Sequence, residues 1–567
     1  MSSIQQQNTF DWKKTLQIGL IGGAVGVLIA MVGMVEEFNK RDIIAGTLTM
    51  GWTILSLTML VTGLFAARAA ASNASSVVGS IVAGTIFGAV MSILVWIVDK
   101  YNIRDILVNA SPTLVKHLTF EKGIPNGLFM LIGLGAAVGG LGGVIQILPE
   151  NIRRAISLGL GIAALLGLLQ EIIQVSLANF EGASKAVEWM FGKGTEKGLS
   201  LAGAILVFVV VAAGNYLWTG NASKISAGFE KLPQSSRKSF RWLGYGLLFL
   251  ALIYLPVVLG LYLTEVVNVT GLFILMGLGL NIVVGFAGLL DLGYVAFYAV
   301  GAYTVGVLTN LSGELTLNLG WNFWLALPIG VALAVLAGVA LGVPVLNMRG
   351  DYLAIVTLGF GEIIRILALS DFLKPHIGGS QGIVNIPPPG FLDVIIKTPQ
   401  TLYYLIVAGC LLALFISSRL RDSRLGRSWK ALREDEDVAQ AMGINLVATK
   451  LLAFATGAAF SGLSGSILAI KLGTIYPHSF ALLISINVLA LIIVGGMGSI
   501  PGVFVGALLL AGMPELLREF AEYRLLIYGA LLVVMMQVRP EGFWPEATHK
   551  RELHAENAEP QAEGGAA

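Results

Sequence analysis

Charge is what this sequence has least of. Only 12% of its 567 residues are Asp, Glu, Lys or Arg, whereas 56% are hydrophobic, and a soluble domain carries about 25% charged residues. So few charges cannot cover the surface of a soluble globule of this size. The net charge of +2 is close to neutral, so the sequence gives no electrostatic reason to expect a nucleic-acid partner.

Cysteine and catalytic motifs are also scarce. Cys410 is the single cysteine, so no disulfide and no cysteine-based metal site can form within the chain. The five histidines form no HExxH pair, and the sequence contains neither a G-x-x-x-x-G-K-[ST] phosphate loop nor a GxSxG elbow. We therefore expect no enzyme active site, no metal site and no cofactor, and any ATP that drives the protein has to be hydrolysed on another polypeptide.

Long hydrophobic runs are abundant instead. A membrane-spanning helix needs about 20 mostly apolar residues, and the chain is predicted to be an all-α, polytopic membrane bundle of about 14–16 such segments. Two of the later segments, 482–497 and 499–513, are short and interrupted by Gly and Pro, which predicts broken or re-entrant helices. The predicted segments are 16–35, 43–66, 75–98, 126–148, 154–175, 199–220, 243–263, 266–288, 292–309, 322–346, 352–369, 401–418, 449–470, 482–497, 499–513 and 524–538.

Polar stretches divide the chain into three predicted parts. Residues 1–240 form a membrane block of about six spans with no assigned role, 241–540 form a second membrane block, and 541–567 form a polar tail that we expect to be disordered. Arg and Lys are concentrated in the 419–433 loop, and such loops face the cytoplasm. Counting spans from that loop places both termini in the cytoplasm of a multi-pass protein of the cell membrane, and the run at 16–35 is interpreted as its first span rather than a cleaved signal.

The 427–446 segment carries the most specific local pattern. Val438, Ala441 and Met442 recur at the spacing of one helix face, and Gly443 is placed to end such a helix. A dense charged run leads into it: Arg433, Glu434, Asp435, Glu436 and Asp437. A short amphipathic helix held between membrane helices is suited to docking in a groove of a soluble partner. The alternative is a solvated basic loop that only fixes the topology.

The run from Arg433 to Asn445 closely resembles the coupling loop of the M-type permease of branched-chain amino acid ABC transporters. Residues 437–439 stand where that loop has Glu-Ala-Ala, and Gly443 stands at its glycine. Further stretches resemble the same family in the same order, and together they cover about 262–540, whereas the family has no counterpart of 1–240. These stretches are 279–293, 297–304, 349–365, 378–383 and 495–502. The residues that the resemblance assigns to ATPase coupling are Arg433, Glu434, Asp435, Glu436, Asp437, Ala439, Met442 and Gly443.

The resemblance implies a permease subunit of an ATP-driven importer of leucine, isoleucine and valine, with no enzymatic activity of its own. Its implied partners are two cytoplasmic ABC ATPase subunits, a second permease of the H type and an extracytoplasmic substrate-binding protein. One alternative is a permease of the same family for urea or short amides. An ion-coupled secondary transporter is disfavoured, because few isolated carboxylates lie in the predicted spans.

Two groups of residues are candidates for the translocation path. Glu362 and Arg365 lie on one helix face, either as path or gate contacts or as a structural ion pair whose charges neutralise each other. Asn281 and Asp291 flank a glycine-rich stretch that either breaks a helix along the path or allows close packing. The candidate path residues are Asn281, Gly285, Gly288, Asp291, Glu362 and Arg365.

Overall fold

Two compact units, Met1–Leu250 and Ala251–Ala567, make up the chain. The predicted tail at 541–567 and the predicted span at 524–538 lie mostly outside the residues that the structure describes. The computed structural model describes residues 11–545 except 71, 102, 106, 171–172, 175–183, 192–197, 231–233, 312–314, 318, 347, 349, 392–393, 517–522, 524–525, 527–528, 531, 534, 536, 538 and 540.

The first unit is built of helices and one short hairpin. Its α4 and α6 touch backbone to backbone, because a Cβ added at Gly84 would lie 2.1 Å from the Gly135 carbonyl oxygen. Small residues allow this close packing of membrane helices. The elements are α1 (Trp12–Met31), α2 (Met34–Phe38), β1 (Asp42–Ile44), β2 (Leu48–Thr49), α3 (Met50–Arg68), α4 (Asn73–Lys100), α5 (Pro112–Leu118), α6 (Asn126–Ile147), α7 (Glu150–Leu168), α8 (Ser184–Phe191) and α9 (Leu201–Glu230).

The helix α10 (Gln234–Leu280) leads into the second unit. It is followed directly by a π-helical turn, Asn281–Phe286. Its core is one apolar cluster that includes fully buried Leu275, Phe297 and Phe454. The remaining elements are α11 (Val295–Thr309), α12 (Phe323–Val345), α13 (Asp351–Leu369), α14 (Lys374–Ile377), a 3₁₀ turn (Gly379–Gln381), β3 (Gly390–Phe391), β4 (Val394–Ile395), α15 (Pro399–Asp422), α16 (Arg424–Glu434), α17 (Glu436–Ala441), α18 (Leu446–Leu472), a 3₁₀ turn (Pro477–Phe480), α19 (Leu482–Gly495), α20 (Ile500–Ala507), a π-helical turn (Leu508–Gly512) and α21 (Met513–Leu516).

The all-α, polytopic prediction is confirmed. Within the described ranges, twelve helices are long and apolar enough to cross a membrane, and two shorter apolar helices accompany them. The predicted segments 243–263 and 266–288 fall largely in one span, Phe249–Phe286. The helix α10 is interrupted inside the first of them, at Gly260, where φ is 71° and ψ is −172°. The predicted break near 496–499 is confirmed as well, because α19 ends at Gly495 and α20 begins at Ile500.

Two predicted boundaries differ from the structure. The span expected at 43–66 begins only at Met50, because Asp42 Oδ2 accepts a hydrogen bond from the Gly46 amide at 2.8 Å and closes a hairpin turn there. Between the predicted spans 199–220 and 243–263, the sequence is polar and a loop is expected at 221–241. This stretch belongs to α9 and α10 apart from 231–233, which lie outside the described residues. Hydropathy alone places neither boundary, since it cannot distinguish a hairpin from a helix start or a polar helix from a loop.

Candidate functional site

The loop between α15 and α18 contains two helices joined at Asp435. Asp435 is extended, with φ −156° and ψ 117°, so it ends α16 and starts α17. Its Oδ1 accepts hydrogen bonds from the amides of Asp437 and Val438, at 2.9 Å each, which is the bonding of a helix N-cap. The charged run read from the sequence as an approach to one helix is thus the end of α16 and the first turn of α17.

Gly443 closes α17 in a left-handed conformation, with φ 86°. Its amide donates to the Gln440 carbonyl oxygen at 2.9 Å, and the Ile444 amide donates to the Ala439 carbonyl oxygen at 3.1 Å. This crossed pair of bonds is typical of a Schellman helix end, where glycine avoids the strain that a Cβ would meet. Gly443 therefore ends the helix, as its place in the sequence pattern predicts.

The apolar stripe on α17 faces away from the protein. Val438 is 58% exposed and Met442 is 79% exposed, and Ala441 beside them is exposed as well. Ala439, on the neighbouring face of the helix, is only 3% exposed. The helix is therefore held by Ala439 and presents an apolar face that is largely exposed within the described residues.

Two buried side chains fix this loop to the membrane helices. Trp429 on α16 is fully buried, and its Nε1 donates to the Thr449 carbonyl oxygen at 2.9 Å. Lys450 on α18 is 2% exposed; it forms an ion pair with Glu436 and its Nζ donates to the Leu346 carbonyl oxygen at 2.9 Å. A buried cation is tolerated only when it is paired and hydrogen-bonded. Sequence reasoning missed both anchors, and its only signal for Lys450 was a basic residue at the start of an apolar run.

Arg433 joins the loop to the π-helical turn at the end of α10. Its Nη1 donates to the Gly285 carbonyl oxygen at 2.6 Å, and a Cβ added at Gly288 would lie 2.9 Å from Arg433 Cγ. The last carbonyls of a helix lack partners within the helix and carry partial negative charge. The guanidinium of Arg433 supplies both a hydrogen-bond donor and a positive charge. The structure thus brings the predicted coupling residue Arg433 against two candidate path residues.

Asn281 links the same π-helical turn to the glycine-rich break after α19. It is 1% exposed, and its Oδ1 accepts a hydrogen bond from the Gly498 amide at 2.9 Å. A Cβ added at Gly285 would lie 2.2 Å from this oxygen and 2.7 Å from the Gly498 nitrogen. The π-helical turn, the break at 496–499 and the loop helix α16 therefore form one connected set, named here the coupling joint. π-helical turns are often found at functional sites.

Asp291 is buried in the connection between the π-helical turn and α11, outside the membrane-spanning segments. Its Oδ1 accepts a hydrogen bond from the Gly293 amide at 2.9 Å, whereas Oδ2 has no partner in the described part of the chain. Burial raises the pKa of Asp291 to about 7, although the Gly293 hydrogen bond opposes the shift. A carboxyl group in this state carries a desolvation cost whenever it ionises.

Glu362 and Arg365 contact each other rather than the coupling joint. Arg365 Nη2 lies 2.8 Å from Glu362 Oε2, and each side chain is about one-third exposed, at 33% and 32%. Within the described residues, their side-chain bonds are to each other and not to α16, α17 or the π-helical turn. A structural ion pair would have this geometry, and the assignment of the two residues to the translocation path stays a prediction.

The second unit matches a known protein family. Residues 262–536 match the family model of the branched-chain amino acid transport system permease component. The chain is 41% identical over 304 residues to the high-affinity branched-chain amino acid transport system permease protein LivM of Escherichia coli K12, covering 50% of this chain and 69% of that protein. It is 26% identical over 290 residues to the permease protein LivH of the same organism, covering 48% of this chain and 90% of LivH.

A more distant relative comes from an archaeon. The probable branched-chain amino acid transport permease protein LivM of Methanocaldococcus jannaschii is 22% identical over 318 residues, covering 49% of this chain and 91% of that protein. No solved structure matches the chain significantly. The relatives are transport permeases and not enzymes, and the described helices are those of a multi-pass membrane protein. By its second unit, this chain belongs to the family of branched-chain amino acid transport system permease components.

Proposed function

We propose that this chain is the M-type permease subunit of an ATP-driven importer of leucine, isoleucine and valine, and that α17 is the helix that docks on a cytoplasmic ATPase. The observation that carries the proposal is the exposed apolar face of Val438 and Met442 on a helix whose neighbouring face is anchored by the buried Ala439. Apolar side chains of this kind in a loop outside the membrane spans are commonly covered by a partner.

The contacts of the coupling joint support a route from the ATPase to the membrane helices. A displacement of α16 acts on the Gly285 carbonyl through Arg433, and Asn281 passes it on to the Gly498 amide. An alternating-access cycle requires two states for which ATP and the loaded binding protein have different affinities. The joint lies where two interrupted helices meet, and such helices can change angle without breaking a full turn of hydrogen bonds.

The proposal includes the partners implied by the family. Similarity to both LivM and LivH proteins supports pairing with an H-type permease, and two ATPase subunits and an extracytoplasmic binding protein complete the importer. In this arrangement the α15–α18 loop and both chain termini face the cytoplasm. Residues 1–240 are an N-terminal membrane extension with no assigned role, and 241–540 are the permease domain.

Reconstitution in proteoliposomes with those four partners tests the function. We expect ATP-dependent uptake of labelled leucine that excess isoleucine suppresses and excess urea does not. Suppression by urea would instead support the urea or short-amide permease. Uptake that follows an imposed ion gradient and persists without ATPase would contradict the proposal in favour of a secondary transporter.

The docking face is tested by the double variant Val438→Asp/Met442→Asp. Burying these two side chains is worth about 1.5–3 kcal/mol each, so we expect co-purification of the ATPase to fall at least about tenfold, and uptake with it. Gln440→Asp is the matched control, because Gln440 is exposed on the opposite side of the same helix. Equal losses in the control and the double variant would contradict docking through this face.

A further inference from the structure

A groove on the first unit lies between α1 and α3 and has a volume of about 510 Å³, a size typical of ligand sites. The two helices touch at its floor, because a Cβ added at Gly22 would lie 2.2 Å from Thr62 Oγ1. The lining residues that matter here are Lys14, Gly22, Val25, Val61, Thr62 and Arg68.

The floor of this groove is apolar in practice. Its two hydroxyl groups are satisfied by their own helix, since Thr62 Oγ1 donates to the Thr58 carbonyl oxygen and Thr58 Oγ1 to the Ile54 carbonyl oxygen, at 2.8 Å each. Val25 and Val61 on its walls are 41% and 39% exposed. Such a surface has no free hydroxyl donor for a polar ligand, and its apolar walls suit a hydrocarbon chain.

Both charged residues of the groove lie at the same end. Lys14 is in the first turn of α1 and Arg68 is the last residue of α3. With a rise of 1.5 Å per residue, Lys14 is about 12 Å along the axis from Gly22, and Arg68 is about 9 Å from Thr62. Half of a bilayer's hydrocarbon core is about 15 Å thick, so the contact between the helices falls within the core and the cations fall near its boundary.

The two cations have no carboxylate partner of their own in the described residues. Neither forms an ion pair there; the nearby Asp11 side chain accepts a hydrogen bond from the Lys14 backbone amide, and Arg68 lies over the Phe65 ring at 5.9 Å. Basic pockets between membrane helices at the headgroup level bind anionic lipid headgroups.

We propose that this groove binds one anionic diacyl phospholipid, with an acyl chain on the Gly22–Thr62 floor and the phosphate between Lys14 and Arg68. The inference does not depend on the transport proposal, because it concerns the first unit and is measured by lipid binding alone. A membrane helix of another subunit is the competing occupant, and the test distinguishes the two.

Native mass spectrometry of the full chain in detergent, titrated with phosphatidylglycerol or phosphatidylcholine, tests the site. Each basic residue near a membrane surface contributes a factor of about five to the binding of an anionic lipid. We therefore expect Lys14→Gln/Arg68→Gln to weaken phosphatidylglycerol binding about 25-fold and to leave phosphatidylcholine binding unchanged. The charge-matched control Lys13→Gln/Arg154→Gln should change neither, since neither residue lines the groove.

A second variant tests the acyl-chain part of the site. Val61→Trp fills the groove from a lipid-facing position, so it should weaken binding of both lipids while the cations remain. Inorganic phosphate at millimolar concentration should not displace phosphatidylglycerol, because it has no acyl chain. Equal losses of phosphatidylglycerol binding in the two double variants would overturn the proposal, and so would displacement of phosphatidylglycerol by inorganic phosphate alone. It would also be overturned if a protein subunit protected Val61→Cys from a membrane-soluble thiol reagent while no lipid was retained.

Discussion

At the scale of single residues, Arg433 has the clearest role in the coupling joint. Its guanidinium donates to a backbone carbonyl at the end of a helix, and a hydrogen bond from a charged donor contributes about 1.5–3 kcal/mol. We expect Arg433→Met to reduce ATP-dependent uptake at least about tenfold while the ATPase still co-purifies, because the exposed face of α17 is unchanged. Uptake and pull-down on the same membranes measure this separation.

The control for that prediction is another arginine of α16, Arg427. Arg427→Met removes a charge of the same kind from α16, but Arg427 is exposed and donates to the Asp422 carbonyl oxygen instead. It should transport normally. Loss of ATPase binding in Arg433→Met would assign Arg433 to docking. Normal uptake by this variant would show that transport does not depend on the bond from Arg433 to Gly285.

Asp291 predicts a pH dependence of stability. Burial raises its pKa from 3.8 to about 7, so the folded state favours the protonated form. The stabilising contribution is complete below about pH 4 and is lost as pH rises through about 7. Between pH 5 and 7.5 the loss amounts to roughly 2–3 kcal/mol. Asp291→Asn has no proton to lose, so its stability relative to the natural chain should increase by that amount over this range.

Thermal unfolding in detergent at the two pH values measures the effect. A constant difference between Asp291→Asn and the natural chain across the range would mean that Asp291 stays ionised in the fold.

At the scale of elements, the start of α17 at Asp435 depends on one N-cap. Loss of an Asp N-cap costs about 1 kcal/mol, and α17 is only six residues long, so it has few other bonds to hold it. We expect Asp435→Ala to weaken ATPase binding about fivefold and Asp435→Asn, which keeps the acceptor oxygen, to bind normally. Binding isotherms with the purified ATPase measure both, and equal weakening would point to lost charge instead.

The elements also separate what the sequence predicts from what it does not. The stripe at Val438 and Met442 and the helix end at Gly443 follow from local spacing and from the φ freedom of glycine. The bond from Arg433 to Gly285 spans 148 residues, and the bond from Lys450 to Leu346 spans 104. Such contacts are set by how the spans pack, and no local pattern encodes that packing.

At the scale of the whole molecule, the two units predict separable functions. The family match begins at 262 and the second compact unit at Ala251. A chain that starts at Gln234 keeps α10 whole, and we expect it to support leucine uptake within about twofold of the full chain when equal amounts are inserted. Uptake by membranes that carry each chain with the same partners measures this. Abolished transport by a well-inserted short chain would give the first unit a part in the cycle.

The acceptor that Arg433 holds belongs to the main chain at Gly285. No amino-acid replacement at position 285 can delete that oxygen, and any larger residue there collides with Asn281 and Gly498. Mutations can therefore alter the hydrogen bond between Arg433 and the Gly285 carbonyl oxygen through its donor, and not by replacing its acceptor. A genetic selection that restores growth to a weakened Arg433 strain should return second mutations in the loop or in the 496–499 segment, and none at 285.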